Sequence, residues 1–329
     1  MSRFLLALLS SALLLTGCDL TDPDDPSPVT EQVFGTEHFD VGLDLLETVD
    51  GDLLVGGAGN GVLAPADGTI PTPNLTRLNP SGQVRWSRLY EDLQGGNLLA
   101  VCKTGSGYAA LIQTGIRTGG EYRLRLTAVD ADGRRSRTLY ERSGTTAYSN
   151  QTLRRIRGGG FLLAGAPPYT EAPRRAFLVR LNDAGRVRWE QSFDELRAVT
   201  SVVETSEGDF ILIGQTDSEA SSHDDILLVK VSRSGAEQWR RTYGTDGRRE
   251  RGFAMVPTEE GGVVVVGQST DSGEAASEQR AYALRVAPDG TQRWSATYDA
   301  EAASATQAIS ALRDGGFVLA GERRTSEGE

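Results

Sequence analysis

Short apolar runs recur along the chain: DLLVG, YAALI, FLLAG, FILIG, VVVVG and FVLAG. They follow directly on Gly51, Gly107, Gly160, Asp209, Gly262 and Gly316, spaced about 53 residues apart. Each is rich in Val, Ile, Leu or Phe and too brief for a helix, which predicts a strand. A partly alternating run precedes each one, such as TSVVETSEG (200–208) or QAISALRDG (307–315). A polar loop follows, and then a third strand: NLTRLN, RLRLTAV, AFLVRLN, DILLVKV and AYALRVA. Tight turns close these strands at Gly82, Gly133, Gly185, Gly235 and Gly290, where glycine suits the positive φ that such turns demand.

A fourth strand follows each turn and carries all four tryptophans, Trp86, Trp189, Trp239 and Trp294. Each has an aromatic residue four positions later, at Tyr90, Phe193, Tyr243 and Tyr298. The second repeat keeps Tyr140 but has Ser136 in place of the tryptophan. Four tryptophans at a single repeat position read as packing anchors, since a large aromatic surface buried once per repeat stabilises the stack.

Four strands at this period are the signature of a β-propeller blade. The G-x-x-x-W spacing resembles the tryptophan-docking motif of quinoprotein-like propellers, and GGFLLAG…DILLVKVSRSGAEQW resembles repeats of secreted and lipid-anchored bacterial propellers. The expected fold is therefore all-β: one β-propeller over 31–329, of about six four-stranded blades. The last repeat reaches Glu329 soon after FVLAGE, so a short or irregular sixth blade is expected, or a missing C-terminal piece. The run EQVFG (31–35) resembles the end of a fourth strand such as RRTYG and is expected to close that blade.

The N-terminus changes the picture. Arg3 precedes an apolar run from Phe4 to Leu15, of a length suited to a secretory signal rather than a membrane span. Leu15-Thr16-Gly17-Cys18 at its end resembles the lipobox of bacterial lipoproteins. That resemblance implies a leader over 1–17, lipidation of Cys18, and attachment to a membrane of the bacterial cell envelope. Asp19 leaves the leaflet open. Residues 18–30 then form an acidic, proline-rich tether without apolar periodicity. Cys102, in the apolar run LLAVC, is expected to be a small core residue, and no disulfide is expected.

Formal charge is −11, with 34 basic and 45 acidic residues and no basic block. This argues against nucleic-acid binding, because phosphate neutralisation needs clustered cations. Arg77, Arg180, Lys230 and Arg285 each precede their turn glycine by five residues. The reading adopted for them is packing between blades, with the charge paired or solvated, in preference to a ring of cations in a channel.

Function tends to sit on variable loops held by a rigid scaffold, here the long connections between second and third strands and between blades. The candidate binding loop is 216–225, with Asp217, Glu219, Asp224 and Asp225 beside His223. Clustered carboxylates are Ca²⁺ chemistry, yet acidic residues in a loop of an acidic chain need no ion, so no cofactor is expected. His38 and His223 are the only histidines, too few for a multi-histidine zinc site. The Gly57-Ala-Gly59-Asn-Gly61 run has no helix after it to receive a phosphate, and Asp130-Ala-Asp132-Gly133 places its glycine too early for a calcium loop.

These features point to a non-catalytic, membrane-tethered propeller that binds an envelope protein or a glycan. A quinoprotein-like dehydrogenase using pyrroloquinoline quinone and Ca²⁺ is the rival of a different class, although such enzymes usually have eight blades and adjacent cysteines. A third expectation is a scaffold for envelope protein assembly, which would need an exposed apolar or strand-edge docking site.

Overall fold

The computed structural model describes residues 41–59, 71–115, 122–144, 149–166, 175–194, 196–216, 225–271, 279–298, 304–312 and 314–323. Among them are 22 strands and a single 3-10 turn, Glu91–Leu93. Five sheets have four antiparallel strands paired in chain order, and the sixth has two. The chain divides into two compact units, with sheets 1 and 2 in the first and sheets 3 to 6 in the second.

Sheet 1 comprises Val41–Glu47, Leu53–Gly59, Thr72–Leu78 and Val84–Leu89, and sheet 2 comprises Asn97–Thr104, Gly107–Thr114, Tyr122–Val129 and Arg135–Gly144. Sheet 3 comprises Ser149–Arg155, Phe161–Ala166, Ala176–Leu181 and Val187–Phe193. Sheet 4 comprises Leu196–Glu204, Phe210–Thr216, Ile226–Val231 and Glu237–Tyr243. Sheet 5 comprises Arg248–Pro257, Val263–Asp271, Gln279–Val286 and Gln292–Tyr298, and sheet 6 comprises Ser304–Ala311 and Phe317–Arg323.

The second and third strands are apolar almost throughout because both of their faces are covered. Every residue of Phe161–Ala166 and of Ile226–Val231 is buried. The fourth strands are sheet edges and read as polar except at their anchors: Glu237–Tyr243 is exposed or half-buried until Tyr243. Cores form where one sheet stacks on the next. Leu162, Leu178, Val202, Phe210 and Val229 join sheets 3 and 4. Ile213, Leu228, Val265 and Leu284 do the same for sheets 4 and 5, and Leu54, Leu75, Ile112 and Val129 for sheets 1 and 2. At about 25 cal/mol per Å² of apolar surface removed from water, these layers are the main favourable term for the fold.

The turn between third and fourth strands is built alike in five sheets. In sheet 4, Ser232 N–H donates to Ala236 O and Gly235 N–H to Ser232 O, with Gly235 at φ +96°. The register then shifts between Lys230 and Val231, the mark of a tight turn closed by a bulge. The same shift falls beside Arg77, Arg180 and Arg285, so each of these cations stands opposite its tryptophan: Arg77 to Trp86, Arg180 to Trp189, Lys230 to Trp239 and Arg285 to Trp294. Counted from the turn glycine, the matching position in sheet 2 is the exposed Arg137, one residue beyond the Ser136 chosen by counting back from Tyr140.

The sixth sheet, with two described strands, matches the expected short last blade. Residues 1–40 lie outside the described residues, and with them the leader, Cys18, the tether and the run EQVFG. Among the described residues no helix is long and apolar enough to cross a membrane.

Candidate binding site

Trp86, Trp189 and Trp239 act as docks between sheets, whereas Trp294 is exposed. Trp189 on sheet 3 donates its indole N–H to Arg233 O in the turn of sheet 4 (3.0 Å), and Trp239 on sheet 4 donates to Pro288 O in the turn of sheet 5 (3.0 Å). Each ring lies against the turn glycine. A Cβ on Gly235 would come 2.8 Å from Trp189 Cδ2, and a Cβ on Gly133 would come 2.6 Å from Trp86 Cη2. Glycine is thus required twice at these turns, for its positive φ and for the ring that rests on it. The aromatic four residues on completes the clamp: Tyr90 O–H donates to Gly133 O (2.9 Å) and Tyr243 O–H to Gly290 O (2.6 Å). Burial raises both phenol pKa values, that of Tyr243 to about 12. Phe193 has no hydroxyl, so Gly235 O has no such partner.

Three of the cations opposite the tryptophans pair with carboxylates of their own sheet, and Arg180 and Lys230 also reach a carbonyl in the turn of the next sheet. Arg77 binds Asp52 (2.6 Å) and Asp50. Burial opposes its charge, but the hydrogen bond to Asp52 and the nearby Tyr108 and carboxylates outweigh it, and the pKa rises. Lys230, only 6% exposed, reaches Glu207 (3.4 Å) and Asp209 (3.5 Å), and Arg285 binds Glu260 (2.8 Å).

Those carboxylates occupy two fixed places in the turn between first and second strands. Thr48 N–H donates to Asp52 O and Gly51 N–H to Thr48 O; the bonds repeat from Ile156 to Gly160, from Thr205 to Asp209 and from Thr258 to Gly262. The turns align as Asp50-Gly51-Asp52, Gly158-Gly159-Gly160, Glu207-Gly208-Asp209 and Glu260-Gly261-Gly262. Sheet 3 has glycine at both acid places. Arg180 accordingly makes one hydrogen bond, to Arg233 O (2.7 Å), and no ion pair among the described residues. Its guanidinium lies 6.0 Å from the Phe210 ring. Burial, first, and then the charges of Arg233 and Arg188 lower its pKa.

An open groove of about 700 Å³ lies there, lined by Gly158, Arg180, Asp183, Arg188, Trp189 and Arg233 among others. Position in the repeat alone groups Arg180 with Arg77, Lys230 and Arg285. The signal lay in the triple glycine 158–160, set against DGD at 50–52 and EGD at 207–209.

The loop-bearing end is described only in part. Asp217, Glu219, His223 and Asp224 lie outside the described residues, while Asp225 is half-buried beside Gly244. Nearby, Glu250 is fully buried: its Oε1 accepts from Ser269 Oγ–H (2.9 Å) and its Oε2 from Thr245 N–H (3.2 Å). Arg248 joins this network through Ser269 Oγ (2.7 Å) and Asp271. Ser269 and Glu250 are both wholly covered, and their hydrogen bond braces two strands. Among the described residues no group of three or more His, Cys, Asp or Glu is placed to hold a metal. Cys102 is buried in its strand.

No family model matches the chain. No curated protein matches it either. Among solved structures it is similar to the β-propeller domain of the trilobed protease from Pyrococcus furiosus, which is described as having an open velcro topology. The identity is 9%, the TM-score 0.51, and the match covers 89% of this chain and 80% of that one. Cobalt-substituted Synechocystis apocarotenoid oxygenase matches at 11% identity and TM-score 0.45, over 77% of this chain and 60% of the oxygenase. The first likeness, together with the repeated four-stranded sheets, places the chain in the β-propeller fold.

Proposed function

We propose that this protein is a lipid-anchored, non-catalytic β-propeller that binds a partner in the bacterial cell envelope. The observation that carries the reading is the run Leu15-Thr16-Gly17-Cys18 at the end of an apolar segment, joined by the acidic, proline-rich stretch 19–30 to a stack of rigid sheets. Each acyl methylene buried in a membrane contributes about 0.8 kcal/mol, so more than one chain on Cys18 makes attachment effectively permanent. The propeller then presents its long connections, 217–224 and 272–278 among them, within the tether's reach of the membrane surface.

Two measurements test this. Wild type grown with a labelled fatty acid is expected to carry label and to sediment with membranes, whereas Cys18→Ser loses both. Unlabelled, soluble wild type defeats the anchor. Crosslinking in intact envelopes is expected to capture a partner that is lost when 217–224 and 272–278 are replaced by Gly-Ser. Equal capture by both forms defeats placement of the site on those connections.

A second reading, a scaffold for envelope protein assembly, has one observation in its favour. Strand Phe317–Arg323 pairs on one side only among the described residues. Val318 and Leu319 on it are exposed, as are Trp294 and Tyr298 on sheet 5. A free strand edge beside apolar side chains suits pairing with an incoming strand.

A further inference from the structure

We propose that the groove between sheets 3 and 4 is a binding site for an oxyanion, the carboxylate or phosphate group of a small ligand, with Arg180 as its principal contact. At one position in four sheets, a half-buried or buried cation donates toward the turn of the next sheet or pairs with the turn before its own second strand. Arg180 and Lys230 are the closest pair. Each points at the carbonyl that also receives an indole: Arg180 and Trp189 at Arg233 O, and Lys230 and Trp239 at Pro288 O. Lys230 then spends its charge on Glu207 and Asp209. The places that would hold such carboxylates beside Arg180 are taken by Gly158 and Gly160: a Cβ at 158, which lines the groove, would meet nothing within 4 Å, whereas one at 160 would meet Leu181 O at 2.1 Å.

Arg180 thus uses one of its five N–H donors, and the guanidinium fork that remains fits a carboxylate or phosphate edge with two parallel bonds. Arg188 and Arg233 line the same groove and are exposed, with neither in an ion pair among the described residues. The carboxylates nearby are engaged elsewhere. Asp183 holds Gly160 N–H and Arg155, and Asp209 holds Arg233 N–H, Gln238 and Lys230. Glu204, which attracts Arg180 at longer range, is bound to Arg157. Three arginines without a carboxylate of their own face one cavity, and an anionic ligand supplies the charge that the glycines omit. This site lies at the short-turn end of the sheets, away from the connections considered above, and it stands whether or not Cys18 carries lipid.

The test is calorimetric titration of the purified full chain with inorganic phosphate and, separately, with citrate at low ionic strength. Wild type is expected to bind at least one of them with one-to-one stoichiometry. Arg180→Gln is expected to weaken that binding about tenfold or more, as loss of a charged bidentate contact does. Gly158→Asp places an internal carboxylate where Asp50 and Glu207 stand in their sheets, and is expected to compete the ligand away to a similar degree. A Cβ at 158 meets nothing within 4 Å, and aspartate is among the residues that tolerate its φ of +81°. Arg285→Gln removes the equivalent cation of sheet 5, already paired with Glu260, and is expected to change nothing. Absence of binding by wild type for both anions overturns the proposal. So does equal binding by wild type and Gly158→Asp, or a loss in Arg285→Gln as large as in Arg180→Gln.

Discussion

Trp239 and Trp294 hold the same position in consecutive sheets, opposite Lys230 and Arg285, yet their surroundings differ. Trp239 rests on the turn of sheet 5, gives its indole hydrogen to Pro288 O, and is seconded by Tyr243, whose hydroxyl reaches Gly290 O. Trp294 is 38% exposed and Tyr298 48% exposed, and among the described residues no turn between third and fourth strands stands against them. The same residues at the same register are anchors in one place and open surface in the other. An anchor is therefore a property of two sheets, the one that carries the ring and the one that brings a glycine turn up to it.

Substitution of the two rings separates these cases most widely. Trp239→Ala is expected to cost about 3–5 kcal/mol, the range for truncating a packed aromatic, and Trp294→Ala about 1 kcal/mol or less, as read from urea unfolding of each variant. Equal losses would mean that Trp294 is covered after all.

The receiving turn gives the next contrast. Gly290→Ala meets both a φ of +83° and Arg241 Cδ at 2.8 Å, and is expected to cost about 2 kcal/mol; Gly315→Ala, with φ +84° and nothing within 4 Å, is expected to cost about 1 kcal/mol. Thermal unfolding of the pair checks the order.

The hydroxyl contributes least. Tyr243→Phe is expected to lose about 1 kcal/mol and Tyr298→Phe to stay within about 0.5 kcal/mol of wild type. The Tyr243 contribution also carries a pH signature. Burial raises its pKa from 10.0 to about 12, so the unfolded chain gives up this proton first. Stability linked to it is whole below pH 10 and falls as pH rises toward 12. Unfolding of Tyr243→Phe is expected to depend less steeply on pH across that window. Identical slopes would remove Tyr243 as a contributor.

Most of the architecture was legible because its determinants are local. A run such as FILIG cannot be a helix at that length, and a turn such as SRSG closes through glycine whatever surrounds it. The period alone pointed to Trp86, Trp189 and Trp239 as packing residues, but not to the exposure of Trp294. What each ring would touch was not legible, because the partner glycine lies 46 to 51 residues further on, as in Trp189 to Gly235 and Trp239 to Gly290. The pairing of the cations failed to show for the same reason: Lys230 meets Glu207 and Asp209 across a whole hairpin. The exception at Arg180 could have been read by aligning the first turns, since it depends only on which residues stand at 158 and 160. The candidate residues Asp217, Glu219, His223 and Asp224 lie outside the described residues, and the groove that the structure does describe is at the opposite end of the strands.

The indole dock also has a direction. Trp189 grips a turn that follows it in sequence, Trp239 does the same, and no indole hydrogen bond among the described residues reaches back to the sheet before. During synthesis the clasp is therefore laid down before the turn it will hold exists. Each new hairpin of sheets 4 and 5 emerges to find its predecessor's ring already in place, which lets packing keep pace with the ribosome. In the finished molecule the dock couples both sides: a slack fourth strand loosens the turn that it grips, and a displaced turn uncovers the ring.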